Sequence, residues 1–382
     1  MATVYSKLFQ SFPLTTDIEL RNRIIMAPMT TWSANEDGTV SEDELQYIRQ
    51  RVNGVGLVIT GCTHVQENGI GFTNEFAAFD DRFTPSLEKL AQAVKSGGAP
   101  AILQIFHAGN KAIPDLIPNE DVVSASALKT PSNSFVDSQI TTRALSHEEI
   151  LDVIHAFGET TRRAIEAGFD GIELHGAHGF LIQNFISPLY NQRKDEWGGS
   201  LEKRMSFPLA VVKEVKRVIK QYAQKPFALG YRISVEEYEA NGLRIDDSLQ
   251  LIDRLVEAGI DYLHVSLVDV LKGKPVDSAN DELTVQRVIH HLNHRVPLIA
   301  AGQIRTPYQA EQAIALGLPL VAIGKAIVMN PDWVELAANN QADQISVELE
   351  IEKNPELYIP DLLWHEIKIR KGWFPLRHIE QV

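Results

Sequence analysis

Cysteine is almost absent from the sequence: Cys62 is the single thiol in 382 residues. One thiol cannot form an intrachain disulfide, a cysteine-ligated zinc site or an iron–sulfur cluster. No run of about 18 uncharged apolar residues, as a membrane span needs, is present. Residues 1–12 also lack the basic start and long apolar run of a signal peptide. We therefore expect a cytoplasmic protein without a membrane segment.

Positive charge is also scarce, with 36 Lys and Arg against 50 Asp and Glu and a net charge of −14. This balance disfavours nucleic acid and anionic membranes as partners, although a local basic pocket for one phosphate is still allowed. The hydrophobic fraction of 44% is that of a folded protein. We expect a small molecule as the partner.

Short apolar runs alternate with amphipathic segments along the chain, which is typical of a parallel sheet covered by helices. Eight such runs predict a single-domain (β/α)₈ TIM barrel. The runs cover residues 23–27, 56–60, 101–106, 171–175, 227–233, 261–266, 297–301 and 320–324. Between the runs, a capping box begins at Ser146, Thr306 precedes Pro307, and glycines 168 and 259 follow helical segments.

Three segments fall outside this repeat. Residues 1–20 are expected to form a hairpin that closes the barrel bottom, and residues 107–146 a long lid loop between the third strand and its helix. The barrel spans about residues 20–340, and a C-terminal extension, residues 341–382, carries Trp364, Trp373 and Phe374. Two interpretations of this extension stay open. It packs on the barrel, or it docks on a second copy of the chain, in which case Arg370 or Arg377 reaches the neighbour's site in a homo-oligomer.

Barrel enzymes carry their sites at the carboxyl ends of the strands, where this sequence concentrates polar residues. Gly302 and the pair Gly324-Lys325 follow the last two runs, the usual phosphate-binding position of the fold. Glycines let backbone N–H groups approach an anion, and a lysine adds charge. The alternative is that both segments are only tight turns.

His175 and His178 follow the fourth run. Their spacing allows two N–H donors to grip and polarise one oxygen. Structural histidines and metal ligands are the alternatives, although no third metal ligand is evident nearby.

Arg232 lies inside the fifth run and Gln104 inside the third. A buried arginine needs an anionic or carbonyl partner, and either residue can serve a ligand or the core. The Thr30 hydroxyl can contact a ring carbonyl or simply follow the turn at Pro28. Cys62, at the end of the second strand, is expected to line the cofactor with an inert thiol.

Several long motifs, in one order along the chain, resemble the old yellow enzyme family of FMN-dependent ene-reductases. They are residues 21–30 (RNRIIMAPMT), 103–109 (LQIFHAG), 171–184 (GIELHGAHGFLIQN), 187–191 (SPLYN), 195–200 (DEWGGS) and 330–333 (NPDW).

The resemblance implies a ping-pong reaction in which NADH or NADPH reduces bound FMN, which then reduces an activated C=C bond. It implies that Pro28, Met29 and Thr30 line the flavin, that Gln104 and Arg232 hold its pyrimidine edge, and that Gly302, Gly324 and Lys325 hold its phosphate. It further implies that His175 and His178 bind the substrate oxygen and that Trp32 and Phe180 lie in the substrate pocket, with no metal.

Three positions depart from the family. Lys325 replaces the usual arginine, Thr30 stands where bacterial relatives often have cysteine, and Phe180 stands where many members have a proton-donating tyrosine. For Phe180 two interpretations stay open: water or a hydroxyl such as Tyr190 gives the proton, or protonation is slow. We favour slow protonation, with nitroalkenes and quinones as better acceptors than simple enones.

Two other functions compete. A flavin-free barrel aldolase or isomerase predicts a colourless protein and needs a lysine or carboxylate base at the rim, which is not evident. A flavin-binding sensor predicts a yellow protein that NADH and NADPH reduce slowly.

Overall fold

Eight parallel strands close into a barrel in the computed structural model, which describes residues 3–130, 139–278, 281–351 and 354–377. The strands are β1 (Ile24–Met26), β2 (Leu57–Ile59), β3 (Ala101–Phe106), β4 (Gly171–Gly176), β5 (Ala228–Ile233), β6 (Tyr262–Ser266), β7 (Leu298–Ala301) and β8 (Leu320–Ile323). Strand β8 pairs with β1, and β3 pairs with β4, so the sheet has no open edge between its first and last strands. The predicted TIM barrel is confirmed, with each strand inside or within one residue of its predicted run.

Helices on the outside cover this barrel. The main ones are α1 (Glu42–Arg51), α2 (Thr84–Lys95), α3 (His147–Glu166), α4 (Ser206–Tyr222), α5 (Ile245–Ala258), α6 (Thr284–Leu292), α7 (Pro307–Ala315), α8 (Trp333–Ala338) and α9 (Asp361–Ile369). Four further short α-helices among the described residues cover Leu181–Ile186, Leu201–Arg204, Lys325–Met329 and Asn354–Leu357. Ser146 and Thr306 each begin a helix with a complete capping box, as the sequence predicts. In the described residues, no helix is long and apolar enough to cross a membrane.

The barrel interior is filled by side chains and plugged at its amino-terminal end. Strands Phe12–Pro13 and Glu19–Leu20 form the predicted hairpin. Leu14, Ile18 and Leu20 from it join the buried cluster of inward-facing strand residues. Gly230 is required in β5, because a Cβ there would overlap the ring of Tyr262. The hairpin leaves the opposite, carboxyl end of the barrel for chemistry.

The predicted lid loop, residues 107–146, is long and irregular, and its residues 131–138 lie outside the described ranges. Two short strand pairs organise the rest: Val123–Ser124 with Arg143–Ala144, and Lys129–Thr130 with Ile140–Thr141. The Ser124 hydroxyl donates to Asn184 Oδ1 over 3.2 Å, which ties the loop to the segment after β4. Its action as a lid stays a prediction.

The C-terminal extension packs on its own barrel. Strand Leu349–Glu350 pairs with Leu376–Arg377, and α9 places Leu363 and Ile367 in the main core. Arg51 anchors the segment before α9 by donating to the Leu357 carbonyl oxygen over 2.5 Å. In the single chain the extension therefore packs on the barrel, which was the first of its two interpretations. Docking on a second copy of the chain stays a prediction.

Candidate active site

One cavity of about 200 Å³ opens at the carboxyl ends of the strands. Six of the nine residues that the sequence assigned to a cofactor line it: Pro28, Met29, Arg232, Gly302, Gly324 and Lys325. They come from four separate strand ends, which only the closed barrel brings together. Arg305, which the sequence reasoning missed, adds a third cation to the same lining, beside Arg232 and Lys325.

The three other assigned residues, Thr30, Cys62 and Gln104, do not line this cavity. Thr30 follows β1, Cys62 follows β2 and Gln104 lies in β3, and these three strands are neighbours in the barrel. The Thr30 hydroxyl and the Cys62 thiol are 3.4 Å apart. Burial, and then the Glu75 carboxylate, raise the pKa of Cys62 well above its usual value. The thiol therefore stays protonated, in keeping with the inert role predicted for it.

Gln104 belongs to a buried network that the sequence analysis missed. The parallel register of β3 and β4 places Glu173 beside Gln104, and Gln104 Nε2 donates to Glu173 Oε1 over 2.7 Å. The other carboxylate oxygen lies 3.0 Å from His264 Nδ1. Burial would raise the pKa of Glu173, but the neighbouring His264 and Arg232 hold it below its usual value. The sequence could have pointed to Glu173, because it is a charged residue inside an otherwise apolar strand.

Arg232 is buried with an unsatisfied donor. Its Nη2 donates to Ser266 Oγ over 3.2 Å, whereas its Nε has no hydrogen-bond partner among the described residues. An unpaired buried N–H group is costly and calls for an acceptor. Since Arg232 lines the cavity, a ligand there is the natural source of that acceptor.

His175 and His178 lie together, with ring centroids 5.0 Å apart. His178 lines an adjoining cavity of about 280 Å³, which shares Ser266 with the first cavity. The Ala177 N–H donates to His175 Nδ1 over 3.3 Å, so the proton of a neutral His175 is on Nε2. Ser266 accepts from Arg232 and lies 2.7 Å from His178 Nε2. A serine hydroxyl that donates to His178 Nε2 leaves Nδ1–H as the donor of that ring.

Desolvation and nearby positive charges favour the neutral form of both imidazoles. Desolvation at the barrel mouth lowers the pKa of His175 and of His178 well below the usual 6.5. The positive charges of Arg232 and Lys111 lower both further. Two neutral N–H donors side by side are suited to hold a carbonyl or nitro oxygen. Among the described residues, no group of three or more His, Cys, Asp or Glu side chains could hold a metal ion.

Aromatic rings form the wall next to the histidines. Phe180 is buried, with its ring centroid 4.9 Å from that of His175 and 4.8 Å from that of Phe106. Trp32 is buried between Phe72, at 5.4 Å, and Trp373, at 5.7 Å. The two residues predicted for the substrate pocket thus lie in one aromatic cluster.

The C-terminal extension reaches this site, which the sequence did not reveal. Lys325 Nζ donates to the Trp373 carbonyl oxygen over 2.6 Å. The Arg370 guanidinium carbon lies 5.8 Å from the Trp32 ring centroid of the same chain, and Arg370 pairs with Glu366. Burial, and then Arg305, lower the pKa of Lys325. The chain's own tail therefore contacts the lysine that was predicted for the phosphate end of the site.

Comparisons with known proteins agree on one family. Residues 7–344 match the family model described as NADH:flavin oxidoreductase / NADH oxidase. A probable NADH-dependent flavin oxidoreductase of Bacillus subtilis (strain 168) is 42% identical over 374 residues, 98% of this chain and 99% of that protein.

A second relative is an NADH:fumarate oxidoreductase of Klebsiella pneumoniae (strain 342), 37% identical over 365 residues, which are 95% of this chain but 39% of that protein. Among solved structures, a 2-naphthoyl-CoA reductase in complex with 2-naphthoyl-CoA matches with a TM-score of 0.77 at 21% identity. The match covers 90% of this chain and 53% of that one, and it shows the fold alone.

Proposed function

The chain belongs to the NADH:flavin oxidoreductase / NADH oxidase family, and we propose that it reduces activated carbon–carbon double bonds. In this proposal NADH or NADPH delivers hydride to bound FMN, leaves, and is replaced by an α,β-unsaturated carbonyl or nitro compound or by a quinone. Membership confirms the resemblance read from the motifs. The chain is an NAD(P)H-dependent flavin oxidoreductase with FMN and a nicotinamide as its cofactors.

The residues at the barrel mouth fit FMN. The observation that carries the proposal is the buried Arg232 with its unpaired Nε, at a cavity that also holds two glycine turns and two cations. In the proposal, Arg232 and Gln104 hold the flavin's pyrimidine edge, Pro28, Met29 and Thr30 line its ring, and Gly302, Gly324 and Lys325 hold its phosphate. When bound, FMN supplies a carrier that accepts hydride from one molecule and gives it to another.

The histidine pair activates the acceptor in this proposal. His175 Nε2–H and His178 Nδ1–H donate to the acceptor's oxygen, which withdraws electrons from the double bond and makes the β-carbon electrophilic. In the proposal, the Ser266 hydroxyl, 2.7 Å from His178 Nε2, donates to that nitrogen and so keeps His178 in the required tautomer. The aromatic wall of Trp32 and Phe180 excludes water and orients a flat acceptor.

The relative named for fumarate reduction supports an acceptor with an activated C=C bond. Fumarate itself, an unsaturated dicarboxylate, joins the test panel for this reason. We expect enones and nitroalkenes in the same panel, because both present an oxygen conjugated to the double bond.

A visible spectrum followed by anaerobic NADH and NADPH addition tests the proposal. We expect a yellow protein that bleaches rapidly with at least one nicotinamide, and rapid reoxidation by members of an enone, nitroalkene, fumarate and quinone panel in a stopped-flow instrument. A colourless protein whose spectrum FMN does not change would favour the aldolase or isomerase. A yellow protein that is reduced only slowly would favour the sensor.

A further inference from the structure

The site has no acid at the position of Phe180, although reduction of an enone requires a proton at the α-carbon. Tyr190 is a poor substitute. Burial, then Glu239 and Glu237, raise its pKa. Among the described residues, its hydroxyl forms no hydrogen bond with His175 or His178 and its ring makes no aromatic contact with Phe180.

A lysine lies beside Phe180 instead. Lys111, in the short 3₁₀ turn Gly109–Lys111 after β3, directs its Nζ to within 2.5 Å of the His178 carbonyl oxygen and 5.7 Å of the Phe180 ring centroid. An ammonium has three N–H donors. Within the described residues that carbonyl is its one hydrogen-bond acceptor, which leaves two N–H bonds for a ligand held by the adjacent histidines.

We propose that Lys111 is the acid of the reduction: its Nζ gives a proton to the α-carbon of the acceptor whose oxygen is held by His175 and His178. This inference rests on the proposed function. It names the proton donor that the sequence left unassigned, and it applies to acceptors whose α-carbon must be protonated, such as enones.

Hydride carries an electron pair to the β-carbon, the C=C π pair moves toward the oxygen, and the resulting enolate rests on the two imidazole donors. A new C–H bond then forms at the α-carbon as one N–H bond of Lys111 breaks, leaving a neutral amine. Because Lys111 is only partly buried, water at the barrel mouth returns the proton. The double bond gains one hydride and one proton.

The surroundings favour this role. Burial lowers the pKa of Lys111 below its usual 10.5, while the Glu239 and Glu237 carboxylates oppose that shift. The other titratable groups that interact with it are the imidazoles of His175 and His178, both held neutral. An ammonium with a lowered pKa is a better acid near neutral pH than an ordinary lysine.

Two substitutions and a matched control test the proposal in the flavin-loaded enzyme. Lys111→Met removes the acid, whereas Lys111→Arg keeps a cation that can bond the His178 carbonyl but does not lose its proton. Lys216→Met is the control, because Lys216 also donates to a backbone carbonyl, Gly259 O at 3.0 Å, but on the outer face of α4. Cyclohexenone turnover, 1-nitrocyclohexene reoxidation and release of the nitronate are measured for each.

We expect both Lys111 variants to reduce cyclohexenone at least about 10²-fold more slowly, with Lys216→Met unchanged. The nitroalkene should still reoxidise them, but nitronate rather than nitroalkane should accumulate, since hydride addition does not need the acid. Adding Phe180→Tyr to Lys111→Met should restore part of the enone rate by returning a hydroxyl donor. Independently of turnover, competitive labelling of the lysine amines across pH should give Lys111 a pKa below 10.5.

A wild-type rate of enone turnover in Lys111→Met would overturn the proposal. A wild-type rate in Lys111→Arg would also overturn it, because Lys111 would then only support the loop at His178. An ordinary or raised pKa for Lys111 would also count against it. Failure of the proposed function looks different: the reduced wild-type enzyme would then be reoxidised by neither acceptor, and both proposals would fall.

Discussion

Replacing Lys325 tests the phosphate end of the proposed FMN site. Lys325 is half-buried, lines the cavity with Gly302 and Gly324, and shares it with a second cation, Arg305. It also holds the tail through the Trp373 carbonyl oxygen. Lys325→Met therefore removes two interactions at once, and the assay must separate them.

The magnitude follows from the charges. A hydrogen bond to a charged group contributes about 1.5–3 kcal/mol. At about 1.4 kcal/mol per factor of ten, its loss weakens FMN binding roughly 10- to 100-fold. Arg305 remains, so binding should not vanish. Lys325→Glu replaces attraction by repulsion, which should roughly double the loss in free energy. Lys325→Arg should retain FMN at least as well as the wild type, because a guanidinium can bond two phosphate oxygens.

Riboflavin, which lacks the phosphate, is the matched ligand. Protein stripped of cofactor is titrated with FMN and with riboflavin, and quenching of flavin fluorescence gives each Kd. Loss of the tail contact should weaken both ligands equally, whereas loss of the phosphate contact should weaken FMN alone. Equal losses for FMN and riboflavin, or wild-type riboflavin binding as tight as that of FMN, would refute the assignment of Lys325 to the phosphate.

Four further predictions concern the other side of the cavity. His175→Ala and His178→Ala should each slow cyclohexenone reoxidation about 10²-fold or more while the protein stays yellow, and phenol ligands should bind more weakly; unchanged rates would assign the pair to structure. Ser266→Ala should leave flavin bound but slow the same reaction, since His178 loses the hydroxyl that sets its tautomer; an unaltered rate would remove that role. Phe180→Tyr should speed enone reduction if protonation limits the wild type, and product analysis with cyclohexenone against 1-nitrocyclohexene checks it. Because the pKa of both histidines is lowered, they become cationic only well below pH 6.5, so nitroalkene reoxidation should show no inflection between about pH 6 and 8; an inflection near 6.5 would contradict the lowered values.

The barrel and one end of its site were predictable because they follow from local rules. Buried parallel strands read as short apolar runs, and capping residues such as Ser146 and Thr306 begin helices through hydrogen bonds only three residues long. Once eight strands are predicted to close, their carboxyl ends must share one rim. Residues at those ends, Arg232 and Lys325 among them, could therefore be grouped before any contact was seen.

Roles that depend on the surroundings of a side chain were not predictable in this way. Lys111 is one residue among many after β3, and the role proposed for it depends on the position of its ammonium beside Phe180 and the His178 carbonyl. Glu173 and Ser266 act through partners on neighbouring strands, which the parallel register decides.

The sequence by itself determined the order of strands and helices, the family and the set of residues at the barrel rim. Only the tertiary structure decided that the tail closes on the chain's own site, where Trp373 meets Trp32 across more than 300 positions of sequence. The physical reason is that the hydrophobic pattern of a strand or helix and the capping of a helix depend only on residues that are close in sequence. Docking of the tail instead depends on which apolar surface and which hydrogen-bonding groups, such as Lys325, the folded barrel exposes to the tail.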